Sequence, residues 1–164
     1  MIKFIFPGIV LLIFCFILPL HVYTIGADQG IGIQGSFYRY QETAYGSMMI
    51  TVMQDIWYVI RGIYSGRTAF SIILWMIGNF FLVIATLVTL IRPSYLDKYY
   101  PILSGCLLVG AGLSYIVSCL TQFGLFFHGS AGISLPFGGF LLMLLGTGIM
   151  VFPSFFNLPA LKQT

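Results

Sequence analysis

Four long apolar runs, none with an Asp, Glu, Lys or Arg in its interior, constrain this chain more than any other feature. They cover Phe4 to about Ile25, about Thr68 to Ile91, Pro101 to about Gln122, and about Ser134 to Phe152. A helix crossing bilayer hydrocarbon needs about 20 mostly apolar residues, because its backbone polar groups must be satisfied within the segment. The runs therefore predict an all-α membrane protein. The expected form is a four-transmembrane-helix bundle, one polytopic domain over 1–164, with spans at about 4–25, 68–91, 101–122 and 134–152. An outer segment at 26–67 carries an amphipathic helix or short strands. Composition points the same way: 59% of the residues are hydrophobic and only 7% are charged. A soluble domain carries about a quarter charged residues. A soluble enzyme and a disordered tail are excluded on that ground. The seven Lys and Arg residues are scattered, so no nucleic-acid partner is expected.

Lys3 followed by Phe4–Leu20 also resembles a signal peptide. The run continues through His21-Val22-Tyr23 without a clear small-x-small cleavage site, so a retained span is expected. Orientation follows from the basic residues near span ends. Lys3, Arg92, Lys98 and Lys162 fall on one side of a four-span chain. Arg39, Arg61 and Arg67 fall on the other, balanced by Asp28, Glu42 and Asp55. This predicts an integral protein of the cell membrane with both termini cytoplasmic and Gly26–Arg67 outside. Tyr95, Tyr99 and Tyr100 fit an interfacial aromatic belt on the inner side.

Within the outer segment, Gly26, Gly30, Gly32 and Gly35 suit turns, and Phe37–Tyr40 suits a short strand. From Ser47 to Tyr64 the polar or small residues Thr51, Gln54, Asp55, Tyr58, Arg61 and Gly62 fall at helical spacing. Met49, Val52, Met53, Ile56, Ile60 and Ile63 fill the opposite face. An amphipathic helix lying at the outer membrane surface or on the other helices is expected. The Ile, Val, Thr, Tyr and Trp content keeps strands as the alternative, and a fifth span with Asp55 buried is the costliest option.

Cys106, Gly110, Ser114 and Ser118 follow at four-residue steps in the third run. Gly139 and Gly146 lie one heptad apart in the fourth. Such small-residue rows let helices approach closely; packing within the bundle is expected, with subunit docking as the alternative. Asn79, midway along the second run, is expected to hydrogen-bond a neighbouring helix. His21 and His128, the only histidines, are expected to be interfacial. A haem held by the pair is the weaker alternative, so no cofactor and no metal are predicted. Cys15, Cys106 and Cys119 are isolated in apolar runs. No G-x-S-x-G, H-E-x-x-H or Walker pattern occurs, so no catalytic residue is assigned.

One span, a long outer loop, a short basic inner loop and a short outer loop resemble the layout of claudin-like tetraspans, which serve cell contact and channel accessory roles. The glycine-rich Leu135–Gly139 and Leu145–Gly148 are similar in flavour. The first outer loop has Trp57 alone and no cysteine, where that family carries W…G-L-W…C…C. The reading that follows is a small non-catalytic membrane protein. It is expected in the bilayer beside other membrane-protein subunits, as a structural or accessory subunit of a larger complex, for example of respiratory or oxidase type. The alternative is a stand-alone tetraspan that recognises a partner through its outer loop.

Overall fold

The computed structural model describes residues 12–13, 15–25, 30–91, 99–124 and 133–152. The first apolar run is helical only to Phe16, where the Ile17 and Leu18 amides close the last turn on the Ile13 carbonyl. Pro19 follows, which disfavours helical geometry at the residue before it. The chain then extends into strand β1 (His21–Thr24), so residues 21–24 are not the end of a span. Residues 1–11 lie outside the description.

Strands β2 (Gly30–Gln34), β3 (Tyr38–Thr43) and β4 (Gly46–Thr51) continue as an antiparallel meander. The register pairs His21 with Gln34, Gln34 with Arg39, and Tyr38 with Thr51. A two-residue strand β5 (Ser134–Leu135) joins β1 from far along the sequence, giving a five-stranded sheet in the order β4-β3-β2-β1-β5. The all-α expectation is therefore corrected. The outer segment holds three strands followed by a short helix, and the strands carry β-branched and aromatic residues whose partners lie on other strands.

The stretch expected as one amphipathic helix divides at Thr51. Met49 lies in β4, and helix α1 covers Val52–Ile60. Thr51 is a full capping box: its hydroxyl accepts from the Gln54 amide while Gln54 Oε1 accepts from the Thr51 amide at 2.8 Å. Helix α2 spans Gly66–Ile91 and α3 spans Tyr100–Phe123, at the second and third expected runs. The fourth run gives up Ser134 and Leu135 to the sheet, leaving α4 as the 15 residues Phe137–Val151. At 1.5 Å per residue that is about 22 Å, short of the ~30 Å hydrocarbon. Among the described residues, two helices, α2 and α3, are long and apolar enough to cross a membrane. Neither a four-helix bundle nor a tetraspan arrangement is supported.

The core of Leu82, Ala85, Leu108, Ala111, Tyr115 and Leu142 lies between α2, α3 and α4, and Trp75 and Leu20 extend it towards the sheet. Helices α3 and α4 touch backbone to backbone. A Cβ on Gly112 would lie 2.4 Å from the Gly139 carbonyl oxygen, and one on Gly105 would lie 2.7 Å from that of Gly146. These two pairs, each at heptad spacing along its own helix, allow the close approach. The outward faces of the three helices are also apolar, with Phe70, Phe80, Ile102, Leu113 and Leu144 all exposed.

Candidate recognition surface

The polar residues of the interior are largely occupied in holding the sheet to the helices. The β2–β3 turn is pressed against the middle of α2. Trp75 Nε1 donates to the Gly35 carbonyl at 3.3 Å, and Asn79 Nδ2 donates to that of Ser36. Tyr115 of α3 donates to Asn79 Oδ1 at 2.6 Å, so one buried amide ties turn and helices together. Asn79 thus bonds a neighbouring helix and the sheet at once. Ser71 and Ser118 exchange hydroxyl and carbonyl bonds where α2 and α3 cross.

The row Cys106–Gly110–Ser114–Ser118 does not face a single neighbour. Gly110 opposes Phe81 and Ser118 opposes Ser71, both on α2, whereas Cys106 Sγ approaches Met150 of α4. Steps of four residues drift by about 40° each on a helix of 3.6 residues per turn, so the row winds from one neighbour to the other. Gly139 and Gly146 face Gly112 and Gly105 instead. Ser114 is half-buried.

His21 is fully buried at the base of the sheet. Its Nε2 shares a hydrogen bond of 2.8 Å with Ser134 Oγ, and its ring stacks on Tyr23 and lies against Phe123. Burial draws its pKa down to about 4, with the cross-strand neighbour Gln34 opposing weakly. The same burial raises the Tyr23 phenol, whose oxygen accepts from Gln41 at 2.8 Å. His128, the other half of the pair considered for haem, lies outside the described residues. Among the described residues no three His, Cys, Asp or Glu side chains group as metal ligands.

A buried ion pair fixes α1. Arg39 on β3 donates to Asp55 at 2.8 Å, and the same Nη2 reaches the Tyr64 hydroxyl at 3.1 Å. Burial raises the Asp55 carboxyl above its ordinary range, and the Arg39 charge and hydrogen bond work against that rise. Sequence periodicity puts Asp55 on the polar face of the helix. Its partner stands sixteen residues away on another element, which no local pattern reveals. Asp55 therefore faces the protein, whereas Gln54 and Arg61 are exposed.

The large side chains that face outward are mostly apolar. β4 pairs only with β3, so among the described residues it is a sheet edge. It exposes Met48 and Met49, and Tyr45 stands out of the β3–β4 turn. On α1 the exposed side chains are Met53, Gln54, Trp57 and Ile60, followed by Ile63 in the linker to α2. Val52 and Ile56 are half-buried. Arg61 lies 4.2 Å over the Trp57 ring. Of these residues, Tyr45, Met48 and Trp57 were not singled out by helical periodicity; edge position in the sheet is what marks the first two.

No family model, curated protein or solved structure matches the chain.

Proposed function

We propose that this chain is a non-catalytic integral membrane protein that works by contact, with the far end of the sheet as its recognition element. Membrane residence is supported by the apolar outward faces of α2 and α3, which in water would be an unusually large exposed apolar surface. With the Arg92–Lys98 connector cytoplasmic, the sheet extends from the middle of α2 towards the opposite side, since its turn docks at Asn79 and Tyr23 of β1 packs on Phe123 at the far end of α3.

The observation that carries the reading is the bare edge of β4. Edge strands in soluble proteins are blunted by Lys, Pro or a bulge. This one runs Gly-Ser-Met-Met-Ile-Thr, with both methionines outward and Tyr45 at its tip. Methionine adapts its shape to a partner, and aromatic residues and Met are enriched at protein interfaces.

Crosslinking in native membranes, followed by extraction in mild detergent, tests this. Expected is a defined protein partner crosslinked near residues 45–49 and lost in Met48→Lys plus Met49→Lys, with the melting curve unchanged. A stoichiometric partner in the same membrane would make the chain an accessory subunit; a partner on an opposing surface would make it a contact protein. A chain that crosslinks to nothing through this edge refutes the reading.

A further inference from the structure

We infer that α1 is a membrane-embedded helix that does not span, its outward face resting against the acyl chains of the outer leaflet. This rests on the membrane reading above but concerns a different surface from the sheet edge.

The depth of α1 follows from its connections. Its first amide, Val52 N, donates to the Phe37 carbonyl at 3.0 Å, and Thr51 pairs with Tyr38. The start of α1 is therefore level with the β2–β3 turn. That turn is bonded to Asn79, thirteen residues along α2, and Phe37 stacks on Phe16 of the first apolar run at 5.4 Å. Helix α1 thus starts level with the middle of α2, about 20 Å along from Gly66, while the β3–β4 turn lies at the opposite end of the sheet. Its other end is held as well. The Ile63 and Tyr64 amides fold back on the Tyr58 carbonyl, and Arg39 bonds Tyr64, so the linker cannot swing α1 away from Gly66 and the head of α2.

The chemistry of the exposed face fits lipid. Met53, Trp57 and Ile60, at successive spacings of four and three, are 74%, 50% and 72% exposed. Asp55, the only acidic residue of α1, is turned inward and paired with Arg39. The remaining charge beside this face is positive: Arg61 over Trp57, and Arg67 at the start of α2. An apolar face with Trp, and a cationic rim at its C-terminal end beside the head of α2, is what a helix in the outer leaflet presents to acyl chains and lipid phosphates.

The test uses the full chain reconstituted in vesicles of phosphatidylcholine and phosphatidylglycerol, with bromine placed along the acyl chains. Trp57 and Trp75 are the only tryptophans, so the difference between wild type and Trp57→Phe isolates the emission of Trp57. Trp57→Phe changes a half-exposed ring and leaves the core intact. Expected is a roughly twofold or greater loss of the Trp57 component in brominated vesicles and little response to aqueous iodide. Quenching by iodide without quenching by bromine puts the face in water and overturns the inference. Insensitivity to both, with the chain inserted, assigns the face to a protein partner and overturns it too. A chain that fails to float with the vesicles defeats the membrane reading itself, and this inference with it.

Discussion

Two glycines on α4, two residues apart, should respond to the same substitution with opposite signs. A Cβ on Gly146 would lie 2.7 Å from the Gly105 carbonyl oxygen and 3.0 Å from both Leu108 Cβ and Val109 Cγ2. Favourable contacts with carbon begin near 3.5 Å, so α3 and α4 must part locally by close to ~1 Å. The principal obstacle is backbone, which cannot rotate aside. Overpacking of this kind costs about 1–3 kcal/mol. At Gly148 nothing lies within 4 Å of the added carbon. There, alanine only removes the flexibility that makes glycine a poor helix residue, a gain of about 0.5–1 kcal/mol. For a chain of this size a kilocalorie moves the melting midpoint by about 2–4 °C. Gly146→Ala should therefore melt about 2–12 °C below wild type and Gly148→Ala about 1–4 °C above it. Circular dichroism melts of the three proteins in one detergent would measure both. If Gly146→Ala melts at or above wild type, or the two variants move together, the backbone contact between α3 and α4 is not as described.

Other outcomes follow from the polar interior. Asp55→Leu should destabilise by about 3–5 kcal/mol, because Arg39 is left buried without its counter-charge, and adding Arg39→Met should recover much of the loss; denaturant titration of the single and double variants reads this. Tyr115→Phe removes the donor to Asn79 Oδ1 and should cost about 1–3 kcal/mol. It should also speed hydrogen exchange in the β2–β3 turn, measurable by mass spectrometry. His21 has its folded pKa lowered from 6.5 to about 4, so the unfolded chain binds its proton first as pH falls. Its contribution is intact above about pH 6.5, declines by about 3 kcal/mol towards pH 4, and levels off below. Melting midpoints across that range should fall for wild type and lose most of that slope in His21→Asn.

The legible part of this structure was the part governed by local rules. Helices α2 and α3 are long, apolar and uninterrupted, and Pro101 in the first turn of α3 marks its start. The sheet was hidden because its logic is non-local: β5 is two residues long and has meaning only against β1. Pro19 and Pro136 were the available signals that helix does not run through His21 or Ser134, and hydropathy drowned both. The small-residue contacts were half-visible. Gly139 and Gly146 stood out at heptad spacing, but their true partners Gly105 and Gly112 share that spacing and were passed over for a four-residue row. The inward turn of Asp55 is hidden for the same reason. Periodicity finds two faces, and only Arg39 decides which of them is inside.

The docked β2–β3 turn has a mechanical consequence. Because Gly35 and Ser36 are fastened to α2 and, through Asn79, to α3, the sheet has no hinge at its base. It behaves as a rigid arm. From that anchorage β3 reaches the opposite turn in six residues, about 20 Å. On an arm of this length a tilt of about 5° between the helices carries the tip through about 2 Å, and a load on the tip is felt at the helix crossing. Force and position at one end of the molecule are thus exchanged with the other without any loop having to move.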